Sequence, residues 1–391
     1  MPAVRISIGT ATGLGVIKED NTMRNTTRFT IAAVLLAAVL LLDGCGELNP
    51  KKGRLITFSS QTGEVGTKTY YGDDYDASGT TWQYIIWETT DVLRIVSDNA
   101  SCATGLHYAD YAIDEVTANV EHKSYAKIKP TPNGLEWAET NLYEFYSVTP
   151  VPGTGAVQSI HGPDSENYNP SMIGSVKATL PATPALPTTT TTKTVTSDGA
   201  TYRYTVYPPD MKYAVMTASE AGDYSSIDSV RLTFKPAFTA FEFNLTSADQ
   251  DMTVSKVELV AANASDCLAG TYTFKAGSDI STSGNVQLSA STSQSVSMTM
   301  NPALSLTAST GITLTFFTIP IVNTGMISLK VTTNQGTATL NLTNTDKTTA
   351  YKFQPGKKYR INLLKVGETW KIFFDVAVYP WIDVEPTTII I

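Results

Sequence analysis

The chain has 391 residues, 42% of them hydrophobic and 16% charged, with a formal net charge of −8. That is enough apolar material for cores of ordinary size, in a chain long enough for two domains. A mildly acidic chain with no basic stripe beyond its N-terminus excludes recognition of nucleic acid through phosphates, and three cysteines exclude a disulfide framework.

Residues 1–45 read as a targeting segment. Residues 1–22 do not resemble part of a signal and form an upstream extension, with Met23 as an alternative start. Arg24 and Arg28 give a positive flank, and residues 29–42 are an apolar run broken only by Thr30. The run is shorter than the roughly 20 residues a spanning helix needs, and it fits the apolar region of a secretory signal. Leu42-Asp43-Gly44-Cys45 follows, the pattern of a bacterial lipoprotein signal. It predicts a diacylglyceryl group on Cys45, which becomes the new N-terminus; two or more acyl chains hold a protein on a membrane without a spanning helix. This covalent lipid is the only non-protein group expected. No cofactor and no metal are predicted.

Residues 46–54 are polar, contain Pro and Gly, and read as a tether. Leu55-Ile56-Thr57-Phe58 is the first strand candidate. Residues 72–79 form an acidic, tyrosine-rich loop, residues 82–87 and 91–96 two strands or one bent strand, and residues 125–128 and 143–148 further short strands. Residues 136–141 suit one or two helical turns. Seven prolines between 150 and 187, and the run Thr188 to Thr192, predict long surface loops joining short strands; a disordered linker is the alternative for residues 181–198.

From Ser226 the period-two pattern is plain. Phe241, Phe243 and Leu245 alternate with Glu242, Asn244 and Thr246. Ile327, Leu329 and Val331 lead into Asn334-Gln335-Gly336, and Ala338, Leu340 and Leu342 lead out. Tyr359, Ile361 and Leu363 precede Gly367-Glu368. Alternation buries one face of each strand, and the glycines supply hairpin turns. Repeated strands without an amphipathic helix of three turns predict an all-β sandwich or barrel architecture. A boundary near residues 221–227 divides 55–225 from 226–391.

No catalytic constellation is evident. Asp74 to Gly79 begins like a calcium loop, but the twelfth position is Ile85 rather than Glu, so a solvated acidic turn is the reading. His107 has Asp110, Asp114 and Glu115 nearby in sequence but no second His at ligand spacing. No nucleophile elbow, zinc motif or phosphate loop occurs, so the chain is not read as an enzyme. Trp82, Trp87 and Trp137 suit a core better than a sugar platform, whereas Tyr70, Tyr71 and Tyr75 have exposed surroundings. Cys102 and Cys267 either pair with one another or sit singly as small buried groups.

Five patterns, in this order, resemble the fimbrillin family, the pilus subunits of Bacteroidetes. They are Trp87-Glu88-Thr89-Thr90-Asp91 before Val92 to Ile95; the aromatic strand from Asn141 that ends in Pro150; Val230 to Lys235 running into Phe241-Glu242-Phe243; Phe353-Gln354-Pro355-Gly356-Lys357-Lys358-Tyr359; and Val378-Tyr379-Pro380-Trp381. The resemblance implies two β-sandwich domains with a transthyretin-like arrangement of strands. It implies export as a lipoprotein to the outer membrane and fimbrium at the cell surface, with other pilus subunits as partners and a host or bacterial surface as receptor. It also implies cleavage after an Arg before the first strand, removal of that strand, and its replacement by a strand from another subunit. Arg54 and Leu55 match the cleavage position, with residues 55–59 as the removed strand. The donor candidate is the uncharged, β-branched end Thr387, Thr388, Ile389, Ile390 and Ile391. Two alternatives stand beside this. The tail completes its own domain's sheet, and Lys51, Lys52 and Arg54 are a charged spacer that no protease meets. An outer-membrane glycan-binding lipoprotein is the rival function.

Overall fold

The computed structural model describes residues 54–62, 70–71, 75–77, 80–82, 85–120, 123–138, 142–197, 200–223, 229–248, 251–282, 284–320, 322–344, 348–367, 369–373 and 378–379. These are almost entirely β-structure: among them there is no α-helix, and the only helical turns are the short 3-10 segments Pro170–Met172 and Met211–Tyr213. Cys45 and residues 387–391 lie outside the described residues.

Seven strands close into a barrel. Around it run Thr57–Thr62, Ser229–Pro236, Met216–Asp223, Leu142–Thr149, Val92–Ser97, Tyr108–Val120 and Lys123–Pro130, and the last pairs back to the first. Two facing sheets are the expectation for this part; the strands described here run in one closed order, because Thr57–Thr62 joins both edges. It pairs parallel with Ser229–Pro236, Phe58 opposite Val230 and Ser60 opposite Leu232. It pairs antiparallel with Lys123–Pro130, Ser60 opposite Ala126. Closure satisfies the main-chain groups that an open edge would leave unpaired. Ser229–Pro236 alternates outward Ser229, Arg231 and Lys235 with buried Val230, Leu232 and Phe234, so the sequence pattern alone orients it on the barrel.

A four-stranded sheet, in the order Val157–Ile160, Ser175–Leu180, Ala269–Lys275 and Gln287–Ser293, contributes to the same core through Val157, Val176, Leu180, Tyr272 and Phe274. The proline-rich stretch therefore contains ordered strands. Thr191–Ser197, read as loop or linker from composition, pairs antiparallel with Ala200–Tyr207. Two expectations upstream also change. Residues 82–87 are not one strand: Thr80–Trp82 pairs with Tyr75–Ala77, and Ile85–Ile86 with Tyr70–Tyr71. Residues 135–136 form a short strand on Ser101–Cys102 rather than the start of a helical turn.

The second core lies between two sheets. One has the order Thr191–Ser197, Ala200–Tyr207, Thr310–Thr318, Thr239–Ser247, Lys358–Val366 and Thr369–Phe373, with Val378–Tyr379 also on Lys358–Val366. The other has the order Ser295–Leu306, Met252–Ala261, Ile327–Thr333 and Gly336–Leu342. Phe241, Phe243 and Leu245 from the first meet Val257, Leu259, Leu329 and Val331 from the second in one apolar cluster. Gly336, at φ +114°, turns the Ile327–Thr333 hairpin where the sequence placed a turn. The change of core falls between Ala240 and Phe241, within Thr239–Ser247. On the first-core side of this crossing the Tyr272 hydroxyl donates to the Ala237 carbonyl at 2.7 Å.

Candidate functional site

Arg54 and Leu55 stand at the mouth of the barrel's closing strand. Arg54 is exposed, Leu55 is 51% exposed, and inward-facing Ile56, Phe58 and Ser60 are buried. The alternation seats Phe58 among aromatic rings, edge to face with Tyr111 and with Phe145, at 5.2 Å from each. Burying Ile56 and Phe58 contributes about 1.5–3 kcal/mol each by area, the main holding force on the strand.

The main chain around the candidate cleavage bond is paired. The Trp137 amide donates to the Arg54 carbonyl at 3.1 Å, and the Ile56 amide donates to the Leu135 carbonyl at 2.8 Å. Leu55 and Glu136 face each other between these bonds as an antiparallel bridge. The covering segment, residues 131–138, is itself tied to the barrel. The Thr131 amide donates to the Asp110 carbonyl at 2.8 Å. The Leu135 amide donates to the Tyr111 hydroxyl and the Ala138 amide to the Tyr143 hydroxyl, both at 2.8 Å. Both phenols are buried, and burial raises the Tyr111 pKa, so it stays protonated across the physiological range. Trp137 is buried edge to face on Tyr143 at 4.9 Å. Sequence reading puts residues 143–148 on a strand but gives Tyr111, Tyr143 and this segment no role at the site. A tyrosine at an inward strand position is the signal, since a buried hydroxyl requires a partner.

Leu55 and the strand Thr57–Thr62 lie on the C-terminal side of the Arg54–Leu55 bond and continue into the rest of the chain. A cut there frees the leading end of the strand but does not excise it. The structure brings Arg54 and Leu55 together with the closing strand; the lipidation residue and the tail lie outside the described residues.

The charged residues around His107 are engaged elsewhere. Asp110 makes a two-pronged pair with Arg94 at 2.7 and 2.9 Å, Asp114 pairs with Lys129, and Glu115 pairs with Lys127. His107 instead meets Asp164, through Nδ1 at 3.2 Å and through its main-chain amide. Among the described residues no group of three His, Cys, Asp or Glu side chains converges as a metal site. Cys102 and Cys267 are both buried and unbonded to one another. Trp87 and Trp137 are buried, which removes them from any surface platform; the side chains of Trp82, Tyr70, Tyr71 and Tyr75 lie outside the described residues.

A second cluster, also unforeseen, lies on the Thr239–Ser247 strand. Glu242, 5% exposed, receives Lys193 at 2.9 Å, Lys358 at 2.7 Å and Arg360 at 2.7 Å. Burial alone would raise the Glu242 pKa; Arg360, Lys358 and Lys193 outweigh it and hold the carboxyl well below the usual range. Burial pushes the fully covered Lys358 down to about 8, against the pull of Glu242. This network fixes strands from three parts of the chain.

No family model matches the chain. No curated protein matches it either. Among solved structures, it is similar to fimbrial and cell-adhesion proteins of Bacteroidetes. A candidate cell adhesion protein from Bacteroides ovatus has 13% identity and a TM-score of 0.44, over 85% of this chain and 99% of that one. A fimbrial assembly protein from Parabacteroides distasonis has 11% identity and a TM-score of 0.38, over 81% and 94%. The tip fimbrial protein Mfa3 from Porphyromonas gingivalis, with a C-terminal truncation, has 9% identity and a TM-score of 0.35, over 81% and 97%.

Proposed function

We propose that this chain is a structural or adhesive pilus subunit, exported as a lipoprotein through Cys45 to the outer membrane and assembled at the cell surface by strand exchange rather than by any chemistry of its own. Its two cores, in this reading, belong to two domains of the transthyretin-like sandwich type, the first closed by its own leading strand. The observation that carries the reading is the position of Thr57–Thr62. It pairs with Ser229–Pro236 on one side and Lys123–Pro130 on the other, and an exposed Arg lies just before it. A cut after Arg54 gives that strand a free end. Its departure leaves Lys123–Pro130 and Ser229–Pro236 as two unpaired edges with an apolar trough between them. An incoming strand restores the main-chain bonds and fills the trough with alternate side chains. Thr387 to Ile391 of another subunit has the required character: β-branched, uncharged and apolar at three successive positions. The partners are therefore other pilus subunits, with a surface receptor for an adhesive role.

The test is treatment of the purified chain with an arginine-specific protease, N-terminal sequencing, and electrophoresis without boiling. A new terminus at Leu55 with a ladder of heat-labile multimers, lost on deletion of residues 387–391, supports polymerisation by exchange. A cleaved chain that stays monomeric removes the polymerising role.

A further inference from the structure

The exposed side chain of Arg54 and the paired main chain on either side of its peptide bond make opposite demands on a protease. A protease binds its substrate extended and pairs with the substrate's own main chain, and it must draw the carbonyl before the cut towards its oxyanion donors. Here that carbonyl, on Arg54, already accepts the Trp137 amide, and the Ile56 amide beyond the cut is already given to Leu135. The Arg is displayed while the bond it marks is occupied. We infer that residues 131–138 form a strap that gates cleavage after Arg54, and that Tyr111 and Tyr143 are the positioning residues that keep it closed; the inference rests on the pilus reading for the purpose of the cut, but not for the gate itself.

The two hydroxyls are suited to this task. Each comes from the barrel core and ends on a strap amide, Tyr111 on Leu135 and Tyr143 on Ala138, on either side of Trp137. The strap residues that cover the bond are thus held by the barrel and not only by the segment they cover. Cleavage then proceeds through local opening, at a rate proportional to the open fraction when reclosing is faster than cutting. Phe58 couples the gate to the strand it protects, since it packs on Tyr111 and Phe145. Loosening the strap loosens the seat of Phe58, and departure of Phe58 takes a neighbour from the phenol that holds the strap.

The experiment measures the rate of cutting after Arg54 in the full chain, purified in detergent and treated with an arginine-specific protease. Cutting after exposed Arg203 is the reference for general unfolding. Tyr111→Phe and Tyr143→Phe keep the rings and remove the acceptors. Each should speed cutting after Arg54 by roughly three- to tenfold, with the Arg203 rate unchanged, the effect expected from one lost hydrogen bond. A second design does not disturb the core. Leu55 and Glu136 form a pair without mutual hydrogen bonds, the closer of the two antiparallel pair types. A disulfide between Leu55→Cys and Glu136→Cys should stop the cut, and a reductant should restore it. Equal Arg54 rates in wild type and both Tyr variants, or cutting that the oxidised pair does not slow, would overturn the gate. Multimer formation is read on the same samples. Faster cutting without multimers retains the gate and removes the assembly reading; multimers with unaltered cutting do the reverse.

Discussion

Phe58 meets Tyr111 edge to face, with ring centroids 5.2 Å apart and planes at 72°, while the Tyr111 hydroxyl accepts the Leu135 amide at 2.8 Å. A single ring thus touches both the strand that closes the barrel and the segment that covers the bond before that strand. Closure and protection share one contact, so changes to either should be felt by the other.

Phe58→Ala tests whether this strand is displaced. In the uncut chain it should cost about 3–5 kcal/mol, as expected for removing a buried aromatic ring, and lower the melting temperature. After cleavage the weaker resident strand should yield sooner, so multimers form faster and melt as wild type does. Multimers destabilised as much as the monomer would show that Thr57–Thr62 stays in its slot.

The tail separates two outcomes. Ile389→Asp together with Ile391→Asp should abolish multimers and leave the monomer within about 0.5 kcal/mol of wild type if the tail serves another subunit. Calorimetry of the monomer decides: a large loss of stability there would mean that the tail completes its own sheet.

Glu242 gives a pH signature. Its folded pKa is depressed, so its contribution to stability is present above its unfolded value near 4.3 and is lost as pH falls towards the folded value. Glu242→Gln should cost about 3–5 kcal/mol at pH 7, because Lys193, Lys358 and Arg360 lose their shared carboxylate. The gap between variant and wild type should narrow below pH 4 in denaturant titrations. A constant gap from pH 7 to 3 would mean that Glu242 is not ionised in the fold.

Cys45→Ala should leave the uncleaved chain out of the membrane fraction, because no acyl chains then anchor it. Metabolic labelling with a fatty acid should fail in parallel. Wild-type chain that carries no label would leave the Leu42 to Cys45 pattern without its expected product.

Alternation was readable wherever one face of a strand meets a core. Phe241, Phe243 and Leu245, and likewise Ile327, Leu329 and Val331, are buried as the pattern requires. The same rule says nothing of the opposite face, which holds Glu242, Asn244 and Thr246. They are buried too: Lys193 and Lys358 reach Glu242, Thr313 and Asn362 meet Asn244, and Thr246 donates to the Leu363 carbonyl, all from partners far away in sequence. Composition misled in the threonine-rich stretch: nothing local marks Thr191–Ser197 as a strand until its partner Ala200–Tyr207 is in place. Barrel closure was illegible for the same reason, since it depends on Phe58 finding Val230, 172 residues later. At the candidate site, Arg54 and Leu55 could be named from the sequence, but the strap that covers them depends on tyrosines whose partners lie 24 and 5 residues away.

The neighbours of Thr57–Thr62 run in opposite directions, since it is parallel to Ser229–Pro236 and antiparallel to Lys123–Pro130. A strand laid in the slot either way round therefore finds one wall of each kind. The hydrogen-bond ladder imposes no polarity; among the described inward side chains, Ile56 and Phe58, apolar and bulky, at one end and Ser60, small and hydroxylated, at the other supply an arrow. Any replacement strand must be read by the taper of that trough, so heading and register are one decision, made by side-chain volume.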